Sequence, residues 1–298
     1  HIRLPESVRK SRVLIVGGAG VAGRNTAAAL TKFCPDLHIV IAGRNREKGG
    51  RVVATLGDNS EFAQVDIEDV NSLHAAMTDV DVVVHAAGPF EYADCNVLEA
   101  AIQTKTAYID VCDHEGYSRR AKSYKNKAMA AGVPAITNGG FNPGVSNLMA
   151  AMLVDDAKSE SRGRPEKLRF NYFTAGSGGT GPGVLGTTFY LMADEAVTYH
   201  KGAKVKSKPY TDMLNTDFGE GIGKKERWQV LTRFLEYRIS VLRFGTAPFF
   251  PNWTLSAMIK ILPTEILKNK NIVQMLVQLS YPMIRAVDVI SGENASIK

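Results

Sequence analysis

The chain has 298 residues, 45% of them hydrophobic, enough to bury one large core or two ordinary ones, and its pattern falls into two domains, residues 10–150 and 151–298. A formal net charge of +6 and a pI near 9.1 raise nucleic acid as a partner. The lysines are scattered, however, and neither zinc-finger spacing nor a compact aromatic-basic RNA motif is found, so a phosphorylated cofactor and a solvated surface account for the charge and no nucleic acid is expected.

Three cysteines, Cys34, Cys95 and Cys112, cannot all pair within one chain and lie at no metal-ligand spacing. That fits a reducing compartment, plastid or cytoplasm, and no metal is expected. The sequence opens on His1 rather than Met, so an upstream segment is expected to have been removed or left out, and any targeting peptide lies beyond view.

The first expected strand, Val13-Leu14-Ile15-Val16, runs into Gly17-Gly18-Ala19-Gly20-Val21-Ala22-Gly23 and then a helix over 24–33. The spacing G-x-G-x-x-G between a strand and a helix reads as a dinucleotide cradle. Gly18 is assigned the tight turn, Gly20 the close approach to a pyrophosphate, and Gly23 the close packing of helix on strand. The next strand, 38–42, decides which dinucleotide, because an acid that would bind a ribose hydroxyl is expected at its end and none is there. Gly43-Arg44-Asn45-Arg46 stands there instead, with Lys48 behind it, and a guanidinium grips a 2′-phosphate bidentately. NADP(H) is therefore expected. The alternative is a solvated helix start, which cations at a helix N-terminus oppose.

A third strand, 61–65, leads to Asp66 and Ile67, placed to border an adenine, with Asp66 as a helix cap the other reading. The fourth, 80–85, ends in His85-Ala86-Ala87-Gly88-Pro89-Phe90. Ala86, Ala87, Gly88 and Pro89 are small or flat enough to lie along a nicotinamide, and His85 reads as a core histidine. The fifth, 107–111, carries Asp110 and leads to Cys112, Asp113, His114 and Glu115. Asp110, Asp113 and His114 are the candidate acid–base groups, since crowded carboxylates and a histidine tune one another's pKa. The other reading makes Asp113 and Glu115 caps of the next helix. Cys112 has no partner base fixed by spacing. A sixth strand, 135–137, completes an α/β Rossmann domain with a doubly wound parallel sheet, whose ligands collect outside the carboxyl ends of the strands.

The second region opens with a helix over 145–153 and a strand over 167–173. A glycine-rich loop, 175–183, then either holds a substrate carboxylate or simply connects to a helix over 187–199. The lysine-rich piece 201–208 reads as a solvated hairpin or loop. Apolar stretches at 249–255 and 275–283 are broken by prolines and lysines before they reach the length of a membrane span. They suit a core, a dimer interface or peripheral contact with a lipid surface.

The glycine run, Ala42-Gly43-Arg44-Asn45, the segment His85 to Phe90, Tyr108-Ile109-Asp110, Gly140-Phe141-Asn142-Pro143-Gly144-Val145-Ser146-Asn147, the segment Arg243 to Phe250 and Ser291-Gly292-Glu293 together resemble the saccharopine dehydrogenase-like family, most closely its plant and algal members. The resemblance spans nearly the whole chain. It implies a Rossmann domain followed by an α+β substrate and dimerisation domain with a mixed sheet, and NADP(H)-dependent oxidoreductase chemistry at a carbon–nitrogen bond of a small imine or amino-acid-derived substrate. It implies a homodimer and, for plant-like members, a plastid location. Between Gly223 and Arg243 the sequence is shorter and different from the family pattern, and the family continues past the equivalent of Lys298, so a loop and a carboxyl-terminal segment are expected to be missing.

Two rivals follow. A short-chain dehydrogenase needs Tyr-x-x-x-Lys, and none of the ten tyrosines has a lysine four positions on. A redox sensor or scaffold would bind NADP(H) through the same glycines without turnover.

Overall fold

Val13, Leu14, Ile15 and Val16 are apolar in succession because their strand is covered on both faces. Leu14 and Val16 join Val40, Val83 and Leu98 in one core, while Val13 and Ile15 join Ile39, Ile41 and Val84 in the other. The computed structural model, which describes residues 5–91, 93–160, 168–175, 181–193, 195–200, 203–229, 240–247 and 250–291, places this strand inside a six-stranded sheet. Two compact units are present, residues 1–149 and 150–298.

The first unit runs β1 (Arg12–Val16), α1 (Val21–Phe33), β2 (His38–Gly43), α2 (Arg46–Leu56), β3 (Ser60–Gln64), α3 (Val70–Met77), β4 (Val82–His85), α4 (Asn96–Thr104), β5 (Ala107–Asp110), α5 (Glu115–Ser123), α6 (Lys125–Ala131) and β6 (Ala135–Ile136). The sheet is parallel, in the order β3-β2-β1-β4-β5-β6. The order reverses between β1 and β4, where Val16 is the register partner of His85. Ligands of such sheets bind in the crevice outside the carboxyl ends at that reversal. The helix expected from residue 24 starts earlier, at Val21, directly after the glycine turn.

The second unit has a sheet and a core of its own. Helix α7 (Val145–Glu160) extends past the expected 153 and leads to β7 (Leu168–Ala175), α8 (Pro182–Ala193), β8 (Ala196–His200), β9 (Ala203–Ser207), β10 (Thr211–Asp217), β11 (Lys224–Gln229), β12 (Ser240–Ala247), α9 (Phe250–Ile261), α10 (Thr264–Lys268) and α11 (Lys270–Ser291). Its sheet is mixed: β7 lies parallel to β12, while the other pairs are antiparallel in the order β10-β11-β12-β8-β9. Leu185, Phe189, Tyr190 and Met192 of α8 pack with Leu267, Val273 and Val277 to form the core of this unit.

The single helix expected over 187–199 is not found. Pro182, suited to the first helical position, starts the helix early, and the β-favouring run Val197-Thr198-Tyr199 makes β8 instead. The lysine-rich piece supplies β9, the other arm of that hairpin. Residues 176–180 of the glycine-rich loop, and residues 230–239 within the divergent stretch, lie outside the described residues. Among the described residues, no helix is long and apolar enough to cross a membrane.

Candidate functional site

The glycine turn is built by two distinct constraints. Gly17 adopts φ +79°, and a Cβ there would stand 2.7 Å from the backbone of Ala87. Gly17, rather than the expected Gly18, is therefore the left-handed residue of the turn. Gly18 is needed for packing, since its Cβ would meet Ile15 O at 2.8 Å and Ile41 Cγ2 at 2.9 Å. A Cβ on Gly23 would fall 2.4 Å from Gly17 O, which ties α1 closely to the turn.

Ala19, Gly20, Val21 and Ala22 complete the turn and begin the helix. Gly20 is the N-cap and supplies no side-chain acceptor, and the first turn carries no acid. The opening amides of α1 thus have neither cap nor counter-charge from their own segment, a combination that accepts an anion. The glycine cradle and the bare helix start fit a pyrophosphate.

At the end of β2, Gly43 leads to Arg44, Asn45 and Arg46, all three exposed. The Asn45 side chain accepts the amide of Lys48 at 2.8 Å, capping α2. Among the described residues neither Arg44 nor Arg46 has an ion-pair partner, in contrast to Arg51, which pairs with Glu47 at 2.6 Å. Two cations are thereby presented beside the cradle. Asp66 accepts the amide of Glu68 at 3.1 Å, and Asp69 is the cap of α3, at 2.9 Å from Asn71 N. The capping role weighed for Asp66 belongs to Asp69. Ile67 packs against the core, and its carbonyl accepts from Asn96 Nδ2 at 3.1 Å.

The loop after β4 is tied to β1 by Ala86 N donating to Val16 O at 2.8 Å. Gly88 and Pro89 are exposed and joined by a cis peptide bond. His85 is in the core, as expected, and burial pushes its pKa down to about 3, so the imidazole is neutral. Its Nδ1 accepts from Ala87 N at 3.4 Å and Phe90 meets its ring edge-on at 4.8 Å. The Nε2 atom has no hydrogen-bond partner among the described residues.

The three candidate acid–base residues lie in different surroundings, Asp110 buried, Asp113 exposed and His114 half-buried. Asp110 is fully buried, and its oxygens accept Cys112 N at 3.0 Å, Asn138 N at 2.8 Å and Tyr108 Oη at 3.0 Å. Burial raises its pKa against these hydrogen bonds, which lower it. A carboxylate so enclosed and committed does not offer an oxygen to a substrate, so the role of acid or base expected for Asp110 is replaced by a structural one. His114, rather than Asp113 or Glu115, caps α5: its Nδ1 accepts Tyr117 N at 3.3 Å. Glu115 pairs with Arg119 at 2.5 Å instead.

Asp113 is exposed just past the end of β5. Crowding by surrounding protein raises its pKa, but with solvent in contact that direction alone assigns it no role. Burial pushes the Cys112 thiol up to about 12, which leaves it protonated and unreactive. Tyr108 and Tyr117, also pushed upward by burial, share a hydrogen bond of 2.9 Å. Asn138 is the residue that sequence reading missed. The signal was present: an Asn directly after a strand and before Gly139-Gly140 suits a left-handed backbone, and its φ is +61°. Among the described residues, no group of three or more metal-ligating side chains is assembled.

Comparison with known proteins agrees with this geometry. Residues 13–136 match the model of the saccharopine dehydrogenase NADP binding domain. The match lies within the amino-terminal unit, which is similar to that domain. Carboxynorspermidine synthase of Vibrio cholerae is 29% identical over 157 residues, 45% of this chain and 37% of that protein. Carboxyaminopropylagmatine dehydrogenase of Synechocystis is 28% identical over 153 residues, 47% of this chain and 37% of that protein. The alignments thus span little more than a third of these curated relatives. Saccharopine dehydrogenase (L-Glu forming) from Saccharomyces cerevisiae superposes with a TM-score of 0.59 at 17% identity, covering 87% of this chain and 59% of the yeast chain, a likeness of fold.

Proposed function

We propose that the chain is an NADP(H)-dependent oxidoreductase of saccharopine dehydrogenase-like type that acts at a C=N or C–N bond of an imine or amino-acid-derived small molecule. The observation that carries the nucleotide is the pairing of an uncapped α1 behind the Gly17–Gly23 turn with two cations at the end of β2, Arg44 and Arg46, that have no ion-pair partner among the described residues. The resemblance carries the bond type. NADPH supplies a hydride when bound, and an imine carbon is already electrophilic, so the protein gains most from orientation and from a proton donor.

In this reading the α1 amides hold the pyrophosphate, Arg44 and Arg46 the 2′-phosphate, Asp66 and Ile67 the adenine edge, and Ala86, Ala87, Gly88 and Pro89 the nicotinamide. Asp113 and His114, just past the end of β5, are the acid–base pair on the substrate side. Met275, Leu279 and Met283, exposed at four-residue spacing along α11, support a homodimer, and the same stripe suits a lipid surface. Liposome flotation separates the two. The resemblance to plant and algal members supports a plastid location.

The decisive experiment follows NADPH oxidation against a panel of amine and oxo-acid pairs. Turnover with one pair is the expected result. Tight NADPH binding without turnover by any pair replaces the enzyme with a redox sensor.

A further inference from the structure

Strand β6 is two residues long, and its register with β5 stops at Ile109↔Ile136. Beyond that point a lattice of side chains continues the work of the ladder. Asp110 Oδ1 accepts both Cys112 N and Asn138 N, at 3.0 and 2.8 Å, and Gly139 N donates to Asp110 O at 2.7 Å. In return Asn138 Nδ2 donates to Cys112 O and to Ser118 Oγ, each at 2.7 Å. Tyr108 closes the remaining oxygen of Asp110. The ends of β5 and β6 are thus cross-braced at the points from which loops 111–114 and 139–144 depart. Asp110 is also the register partner of His85, and Val111 N donates to His85 O at 3.3 Å, so the brace reaches the end of β4, from which the loop Ala86 to Pro89 departs.

We propose that Asp110 and Asn138 are positioning residues that hold the nicotinamide half of the nucleotide site in shape, and that Asp110 does so by geometry and not by charge. This rests on the NADP(H) reading above. The brace lies at β5, three strand spacings from β2, about 14 Å away, where the 2′-phosphate would sit. Loss of the brace should therefore be felt at one end of the nucleotide only.

Binding of NADPH and of 2′,5′-ADP, which lacks the nicotinamide half, is to be measured by calorimetry for the wild type, Asp110→Ala, Asp110→Asn and Asn138→Gly. Asp110→Ala is expected to weaken NADPH about tenfold and leave 2′,5′-ADP within about twofold. Asp110→Asn restores NADPH binding, because the amide oxygen accepts the two backbone amides while its nitrogen donates to Tyr108 Oη, whose own hydrogen turns to Tyr117. Asn138→Gly keeps the left-handed backbone and its amide but loses two hydrogen bonds, so a smaller NADPH-specific loss is expected; this variant decides the matter if Asp110→Ala does not fold. Equal losses for both probes in the folded variants, no loss in any variant, or a loss in Asp110→Asn as large as in Asp110→Ala overturns the proposal. A wild-type protein that binds neither probe instead removes the nucleotide reading, and this proposal with it.

Discussion

His85 and Asp110 face each other in the register of β4 and β5, both without solvent exposure, the imidazole held neutral and the carboxyl pushed toward its neutral form. Burial acts on both in the same sense, disfavouring charge, but its effect on stability runs in opposite directions with pH.

For His85 the folded pKa, about 3, lies below the ordinary value of 6.5, so between these values the unfolded chain binds more protons. Stability is full above about pH 6.5 and falls as the pH drops toward 3. Between pH 7 and pH 5 this amounts to about 2 kcal/mol. Urea unfolding of wild type and His85→Phe at both pH values checks it: the wild type should lose about that much more than the variant. Parallel losses would mean that His85 is already charged or accessible in the folded protein.

For Asp110 the folded pKa is raised, so the folded chain binds the extra proton and stability declines as the pH climbs above 3.8 through the folded value. Asp110→Asn removes that decline. The variant should gain on the wild type between pH 4.5 and pH 8 in the same unfolding measurement, and a steady difference across that range would show the carboxyl to be ionised without penalty.

Two adjacent glycines of α2 should respond to alanine with opposite signs. A Cβ on Gly49 would enter the ring of Phe62 at 2.1 Å, whereas one on Gly50 meets nothing within 4 Å. Gly49→Ala should cost about 1–3 kcal/mol through overpacking. Gly50→Ala should stabilise the helix by about 0.5–1 kcal/mol. Thermal melts of the two variants decide it.

The sheet was legible because β1, β2 and β4 bury both faces and so read as nearly continuous apolar runs, and because the glycine turn stands between a strand and a helix. The residue that takes the left-handed backbone was not legible. Gly17 and Gly18 are chemically identical, and the approach of Ala87 from the loop after β4, a contact across 70 positions, is what bears on Gly17. The same reason hid the fate of Asp110: local crowding of acids suggested acid–base chemistry, while its actual partner, Asn138, lies 28 residues away. His114 capping α5 could not be read either, because Asp113 and Glu115 are the commoner kinds of residue at a helix start.

Arg44 bears the choice of nucleotide. Among the described residues it has no ion-pair partner to give up, it stands directly before the Asn45 cap, and its carbonyl is tied to Gln64 Nε2 at 3.4 Å, which anchors the backbone at this point. Arg44→Ala should weaken NADPH by about 10–100-fold through the lost bidentate contact to the 2′-phosphate, and leave NADH, which lacks that group, within about twofold. Asn45→Ala is the contrast: loss of the cap costs about 1 kcal/mol of stability and should move both nucleotides alike. Fluorescence titration at low and moderate salt adds a second reading, since the NADPH preference of the wild type should shrink as salt rises and that of Arg44→Ala should change little. Loss of NADPH and NADH in equal measure on replacing Arg44 would move the 2′-phosphate contact elsewhere, and Arg46→Ala would then be the variant expected to abolish the preference.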